Sequence, residues 1–161
     1  MMAAHDALDR DPTARILIVD LDVHQGNGTA ALARGEDRIF TFSMHGRTNY
    51  TFHKEASDLD IALEDGTQDT PYLEALDLHL SRILADFEPT VVLYQSGVDV
   101  LESDKLGKLS LSLNGCLERD RMVLSRCRER ELGVACAMGG GYSPDIRTIV
   151  EAHMQTFRLA R

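Results

Sequence analysis

The sequence is poor in tryptophan, proline and cysteine. It contains no tryptophan, four prolines and three cysteines, Cys116, Cys127 and Cys136, with no C-x-x-C pair among them. An odd number of widely spaced cysteines argues against a disulfide framework and against a cysteine-ligated zinc motif. We therefore expect reduced thiols, as in a cytoplasmic protein.

Positive charge and long apolar runs are also scarce. The chain has 17 basic and 26 acidic residues, which gives a formal net charge of -9. This charge and the lack of a basic stripe argue against a nucleic-acid partner or an anionic membrane surface. No apolar run approaches the roughly 20 residues that cross a bilayer, and the first residues lack the apolar core of a signal peptide. We expect neither a nucleic-acid partner nor a membrane partner.

The remaining composition is that of one folded domain. With 161 residues, 43% of them hydrophobic, the chain is long enough to bury a core. Short apolar runs alternate with segments of helical periodicity, which predicts an α/β fold with a parallel sheet. The predicted strands are 15–19, 38–43, 90–95 and 134–138. The predicted helices are 1–11, 30–34, 71–87, 114–132 and 144–157, and 46–70 and 101–112 are predicted loops. The Arg- and Glu-rich run of helix 114–132 is predicted to be a solvated face.

The most informative segment is Ile16 to Thr29, I-L-I-V-D-L-D-V-H-Q-G-N-G-T. Its apolar start predicts a buried strand of a parallel sheet. Parallel sheets bind ligands beyond the carboxyl ends of their strands. Asp20, Asp22 and His24 are spaced by two, so in an extended chain they point to one side. Carboxylates and an imidazole so placed suit a metal ion. Taken alone, the same residues also suit an ordinary turn that ends a strand.

Two further strand ends carry polar side chains that strengthen the metal interpretation. Asp99 follows the third predicted strand, and Tyr142 follows the fourth after three glycines. In a parallel sheet, these residues reach the same edge as Asp22 and His24. One imidazole and two carboxylates would form a three-ligand zinc site with an open position, as catalytic zinc sites have. A phenol beside it can stabilise an oxyanion, so the set predicts metal-assisted hydrolysis of an amide or ester.

Four motifs in order make a family resemblance specific. They are D-L-D-V-H-Q-G-N-G-T at 20–29, Q-S-G-V-D-V-L at 95–101, D-K-L-G-K-L-S-L-S at 104–112 and G-G-G-Y-S at 139–143. Over residues 1–157 the chain resembles the histone deacetylase superfamily, and looks closest to its class IV and bacterial members. The resemblance implies a three-layer, arginase-like α/β fold, a parallel sheet flanked by helices, here incomplete with about four strands. It also implies that residues 1–161 are the C-terminal portion of a deacetylase-like catalytic domain.

The resemblance also implies roles for individual residues. The implied zinc ligands are Asp22, His24 and Asp99, with Tyr142 as the catalytic, oxyanion-stabilising phenol. The implied potassium site comprises Asp20, the Ser43 hydroxyl and the carbonyls of Asp22, His24 and Met44. The implied acyl-tunnel residues are Phe52, Leu106, Gly140 and Gly141, although the loop 50–53 lacks the proline that follows the aromatic residue in the family. The donor set also suits Fe²⁺ or Co²⁺.

One family feature has no counterpart in the sequence. Members carry an upstream half with a His-His pair that acts as general base and acid, and no such pair occurs here. Loss of such proton transfer costs on the order of 100- to 10,000-fold in rate. The implied activity is therefore zinc-dependent hydrolysis of acetyl-lysine or a related small acylamide, with this chain inactive or weak alone.

Two alternatives remain open from the sequence. The first is that the chain is a non-catalytic metal-binding module, or one half of a split gene product. It would then need a missing N-terminal half, or a second copy, to cover a free sheet edge and an apolar face. The remote alternative is a dinucleotide-binding enzyme, because residues 26–31 satisfy G-x-G-x-x-A after a strand. Against it, no acid ends the next strand to hold a ribose, and Asp22 and His24 would crowd the phosphate site.

Overall fold

A five-stranded parallel sheet forms the centre of the structure, a computed structural model that describes residues 1–160. The strand order is β3-β2-β1-β4-β5, with β1 in the middle. The strands are β1 (Ile16–Asp20), β2 (Ile39–Gly46), β3 (Leu59–Leu63), β4 (Val91–Ser96) and β5 (Gly133–Met138). The helices are α1 (Met2–Arg10), α2 (Asn27–Ala33), α3 (Asp69–Asp86), α4 (Leu113–Glu129) and α5 (Ile146–Leu159). The predicted α/β class and the arginase-like architecture are confirmed.

Helices α1, α3 and α4 each bury one side in a core, as their periodicity predicts. In α3, Pro71 lies in the first turn, where its missing N–H costs no hydrogen bond. The face of α3 that packs into the main core comprises Tyr72, Leu76, Leu80, Ile83 and Leu84. Ser112 caps α4, since its hydroxyl accepts a hydrogen bond from the Gly115 N–H at 2.9 Å. A second, smaller core lies under α1 on the opposite face of the sheet.

The prediction of about four strands was wrong, because the predicted loop 46–70 contains β3. This strand pairs in parallel with β2 at one edge of the sheet. Its sequence L-D-I-A-L alternates, and Leu59, Ile61 and Leu63 pack against the main core. The strand has only five residues and is flanked by turn-forming and acidic residues, so its alternating pattern is too short to be recognised in the sequence. Asp58 fixes the entry to the strand, since its carboxylate accepts hydrogen bonds from the Thr41 N–H at 2.7 Å and the Thr41 hydroxyl at 2.8 Å.

The opposite edge of the sheet is uncovered. Every residue of β5 is exposed, and β4, predicted as a buried strand, alternates between buried and half-buried residues. Helix α5 continues this surface with apolar residues at helical spacing. We define the open face as Val134, Met138, Ile146, Val150, Met154 and Phe157, all of them exposed. Met138 and Phe157 line one small cavity, which joins the β5 and α5 parts of this face.

Among the helices between residues 1 and 160, none is both long and apolar enough to cross a membrane.

Candidate metal centre

The end of β1 positions two of the predicted ligands through a series of short turns. The Asp20 carboxylate accepts a hydrogen bond from the Asp22 N–H at 3.2 Å, and the Asp22 carboxylate accepts one from the His24 N–H at 3.0 Å. Aspartate side chains commonly bond to the backbone two residues on in this way. The segment therefore leaves the sheet in a defined path, with Asp22 and His24 held at its carboxyl edge.

Asp99 joins this pair from the loop after β4. The His24 Nδ1 atom lies 3.0 Å from Asp22 Oδ1 and 3.2 Å from Asp99 Oδ2. The three side chains offer ligand atoms that all lie within 4.8 Å of one another. The structure thus brings together the three side chains that the sequence singled out.

Asp99 supplies the observation that best fits a metal ion. Its side chain is fully buried, and Asp99 Oδ1 accepts a hydrogen bond from the Val23 N–H at 2.9 Å. Asp99 Oδ2 is also buried and accepts no well-directed hydrogen bond; His24 Nδ1 lies 3.2 Å away but is shared with Asp22 Oδ1. A buried carboxylate oxygen without a donor of its own is costly, and a metal cation between the three side chains would satisfy it. The donor set of two carboxylates and one imidazole fits a borderline divalent ion such as zinc.

The electrostatics of the cluster favour positive charge at this point. The hydrogen bond to Asp22 and the close contact with the Asp99 carboxylate raise the pKa of His24 to about 10. Burial raises the pKa of Asp99, whereas for Asp22 the effect of burial is outweighed by hydrogen bonds from His24 and Gly140, which lower its pKa to about 2. Without a metal, the imidazolium proton therefore offsets the carboxylate charge, and a divalent ion would replace it.

The triple-glycine loop after β5 approaches the ligands closely. The Gly140 N–H donates a hydrogen bond to Asp22 Oδ2 at 2.8 Å, and the Val98 N–H donates one to the Gly140 carbonyl at 2.7 Å. A Cβ atom at position 140 would lie 2.0 Å from Asp99 Oδ2, so this backbone position accepts only glycine without a local shift. The glycines therefore serve the packing of the ligands.

Tyr142 follows that loop and faces a cleft above the ligands. Its N–H donates a hydrogen bond to Asp104 Oδ2 at 2.6 Å, and its side chain is 46% exposed. The cleft measures about 540 Å³, and its lining includes His24, Tyr142, Phe52 and Leu106. Gly140 and Gly141, the other two predicted tunnel residues, are not part of this lining: Gly140 packs against Asp99 and Gly141 against Val98. The phenol and the imidazole thus share one accessible cleft.

Asp20, Ser43 and Met44 of the predicted potassium site lie on the adjacent strands β1 and β2, and Asp22 and His24 lie in the segment that follows β1. Asp20 and Ser43 are direct register partners of β1 and β2, and Met44 follows Ser43. Burial raises the pKa of Asp20 to about 7, so this carboxylate also lacks compensating positive charge. A Cβ atom at Gly26 would lie 2.4 Å from Asp20 Oδ2. The carboxylate therefore lies against the G-x-G-x-x-A turn, where it would repel a phosphate, and this disfavours dinucleotide binding.

The prediction of a solvated Arg and Glu face on α4 was wrong at Arg119. Arg119 and Asp120 are fully buried and form an ion pair, with Arg119 Nη2 2.8 Å from Asp120 Oδ1. A charged pair within a helix most often faces water, so its composition gave no signal of burial. The helical spacing of the apolar residues did signal burial, since Cys116, Val123 and Cys127 lie on the same, buried side of the helix as Arg119.

The fold and the site together define a parallel α/β domain with a candidate metal centre at the carboxyl edge of its sheet. Residues 1–157 match the family model of the histone deacetylase domain. The chain belongs to the histone deacetylase family.

Relatives and solved structures agree with this assignment. An uncharacterized protein of Picosynechococcus sp. is 43% identical over 99% of this chain, and histone deacetylase 2 of Arabidopsis thaliana is 33% identical over 88%. The crystal structure of an HDAC homologue from Aquifex aeolicus superposes with a TM-score of 0.81 at 27% identity over 97% of this chain. The chain spans about half of the Picosynechococcus protein, 53%, and 37% of the Arabidopsis protein and 44% of the Aquifex chain.

Proposed function

We propose that this chain carries the metal centre of a zinc-dependent deacetylase-type amide hydrolase and corresponds to the C-terminal portion of such a domain. The observation that carries the proposal is the convergence of Asp22, His24 and Asp99, whose ligand atoms lie within 4.8 Å of one another, with the buried Asp99 Oδ2 left without a donor of its own. The proposed substrate class is acetyl-lysine or a related small acylamide. Membership of the histone deacetylase family supports this choice.

The proposed roles follow from where the side chains lie. Asp22, His24 and Asp99 would hold the ion, and Fe²⁺ or Co²⁺ would also suit this donor set. When bound, the ion would act as a Lewis acid toward a carbonyl oxygen and lower the pKa of a bound water. Tyr142, exposed in the same cleft, is proposed to donate a hydrogen bond to the oxyanion that develops on that carbonyl.

The other predicted residues take supporting roles in the proposal. Phe52 and Leu106 line the cleft and would contact the acyl chain of the substrate. A structural potassium ion would be held behind the centre by Asp20, the Ser43 hydroxyl and the carbonyls of Asp22, His24 and Met44. There the half-buried Asp20 carboxylate needs a cation.

Zinc binding gives the first test of this proposal. The chain is expected to bind one Zn²⁺ and to gain about 2.7 kcal/mol of unfolding free energy when free Zn²⁺ is 100 times its Kd, because the folded state alone presents the converged ligands. Calorimetric titration and thermal unfolding with and without a chelator measure both quantities. A chain that binds no zinc, with a Tm that chelation leaves unchanged, would overturn the proposal.

The open face supports a second proposal, that the chain acts with a polypeptide that completes the sheet. The outer edge of β5 has unpaired backbone groups, and the open face beside it is apolar. The occupant we propose is a chain equivalent to the part of the Picosynechococcus relative that this chain does not match, since that relative is nearly twice as long as the matched region. A second copy of this chain is the alternative occupant. In either case the open face is an interaction surface.

The isolated chain is therefore expected to self-associate or aggregate. Replacing Met138 and Val150 by lysine should shift it toward the monomer in size-exclusion chromatography, because two charges then interrupt the open face. Replacing Leu32 by lysine is the matched control, since Leu32 is 67% exposed on α2 outside that face. A wild-type chain that elutes as a monomer and melts cooperatively would contradict the prediction.

A further inference from the structure

One buried guanidinium joins the two strand ends that deliver the ligands. Arg119 Nη1 donates a hydrogen bond to the Leu21 carbonyl at 3.2 Å and another to the Gly97 carbonyl at 2.5 Å. Leu21 immediately precedes Asp22, and Gly97 lies two residues before Asp99. Both carbonyls lie just beyond the last residues of β1 and β4. The regular parallel pairing of these two strands ends at Asp20 and Gln95.

Asp120 fixes the orientation of this guanidinium. Its Oδ1 atom accepts a hydrogen bond from Arg119 Nε at 2.9 Å and another from the Tyr94 hydroxyl at 2.5 Å. Its Oδ2 atom accepts a hydrogen bond from the Thr156 hydroxyl of α5. The Arg119–Asp120 pair therefore connects the ends of β1 and β4 to α4 and α5 without reaching the cleft.

Stability alone does not account for such a pair. Both side chains are fully buried, and the mutual attraction of two buried charges often offsets only part of the free energy lost when they leave water. Apolar residues of similar volume often stabilise a core as well or better. The planar fork of arginine, however, bonds several acceptors in one fixed geometry, which an apolar side chain or a lysine does not reproduce.

We propose that Arg119, oriented by Asp120, is a positioning residue that sets the separation of Asp22 and Asp99 for metal binding. This inference rests on the proposed metal centre and adds to it a determinant outside the ligand set. Outer-shell partners of metal ligands typically contribute about 10- to 100-fold in metal affinity. Here the contact is through the backbone of the residues next to the ligands.

The test measures Co²⁺ binding by the full chain, through the Kd and the visible absorption of the bound ion. Arg119→Lys keeps a positive charge beside Asp120 but loses the fork, and we expect the Kd to rise about tenfold or more with a changed absorption spectrum. The double variant Arg119→Gln, Asp120→Asn removes both charges together, so it leaves no buried charge unpaired. It should raise the Kd for Co²⁺ by a similar factor. This second variant keeps the test decisive if Arg119→Lys does not fold.

Two controls separate positioning from general destabilisation. Arg126→Lys changes another arginine of α4, one that pairs with Asp77 on α3, and should leave the Kd within about twofold of the wild-type value. Leu8→Ala removes a buried side chain from the smaller core under α1 and should lower the Tm without changing the Kd.

The outcomes distinguish this inference from the proposed function. Co²⁺ affinity that is unchanged in both Arg119 variants overturns the positioning role alone, as does an equal rise in Kd for Leu8→Ala. A wild-type chain that binds no Co²⁺ overturns the metal centre itself, and the positioning role with it.

Discussion

Replacement of Asp99 by asparagine is expected to weaken Zn²⁺ binding by at least about 100-fold. Loss of an outer-shell partner already costs about 10- to 100-fold, and Asp99 is a proposed direct ligand. The asparagine side chain has nearly the same shape, and its amide oxygen can still accept the hydrogen bond from the Val23 N–H. The change therefore removes charge and ligand strength while keeping the local backbone contact. Competition with a chromophoric chelator measures the zinc affinity.

Asp37→Asn is the matched control for this substitution. Asp37 is exposed just before β2, at the amino end of the sheet and away from the ligands. The control should bind zinc as the wild-type chain does, and surface substitutions of this kind usually change stability by less than about 0.5 kcal/mol. Equal zinc affinity in Asp99→Asn and Asp37→Asn would contradict the assignment of Asp99 as a ligand.

The second large effect concerns amide hydrolysis by the chain alone. Among the residues that the structure describes, His24 is the one imidazole in the cleft lining, and it is a proposed metal ligand. It therefore cannot also serve as a free general base. Missing general acid and base groups typically lower a rate by about 100- to 10,000-fold. We therefore expect the chain alone to release acetate from an acetyl-lysine peptide about 100- to 10,000-fold more slowly than the chain together with the completing polypeptide.

The experiment compares the chain with and without a polypeptide equivalent to the unmatched part of the Picosynechococcus relative. Tyr142→Phe in the reconstituted complex is the control, since it removes the phenol hydroxyl and should reduce a rate that arises at this centre. Turnover at a normal enzymatic rate by the chain alone, with no gain from the second polypeptide, would show that the missing groups are not needed.

The elements that place the site were predictable because each combines a strong local pattern with a topological rule. The apolar run before Asp20 predicts β1, and the order of the motifs places Asp22, Asp99 and Tyr142 at one sheet edge. The structure shows the same grouping, with Asp22 and Asp99 on either side of His24. Because the carboxyl ends of parallel strands lie at one edge of the sheet, residues that follow different strands become neighbours even when they are distant in sequence.

The features that could not be predicted depend on tertiary contacts. Strand β3 is short and flanked by turn formers, and its pairing with β2 places Leu59 and Ile61 against the core. Helical spacing places Arg119 on the buried side of α4, but its acceptors are carbonyls at the ends of β1 and β4, which no pattern within that helix encodes. Likewise, the half-buried residues Leu93 and Gln95 of β4 line a cavity with Met1 and Ala3, because α1 does not cover this face of the sheet completely.

Anomalous diffraction at the zinc absorption edge from crystals of the zinc-loaded chain tests the central claim most directly. The claim predicts one strong peak bounded by Asp22 Oδ1, His24 Nδ1 and Asp99 Oδ2, the atoms that converge in the structure. Zinc found only elsewhere on the chain, with the carboxyl groups of Asp22 and Asp99 turned away from each other, would contradict it.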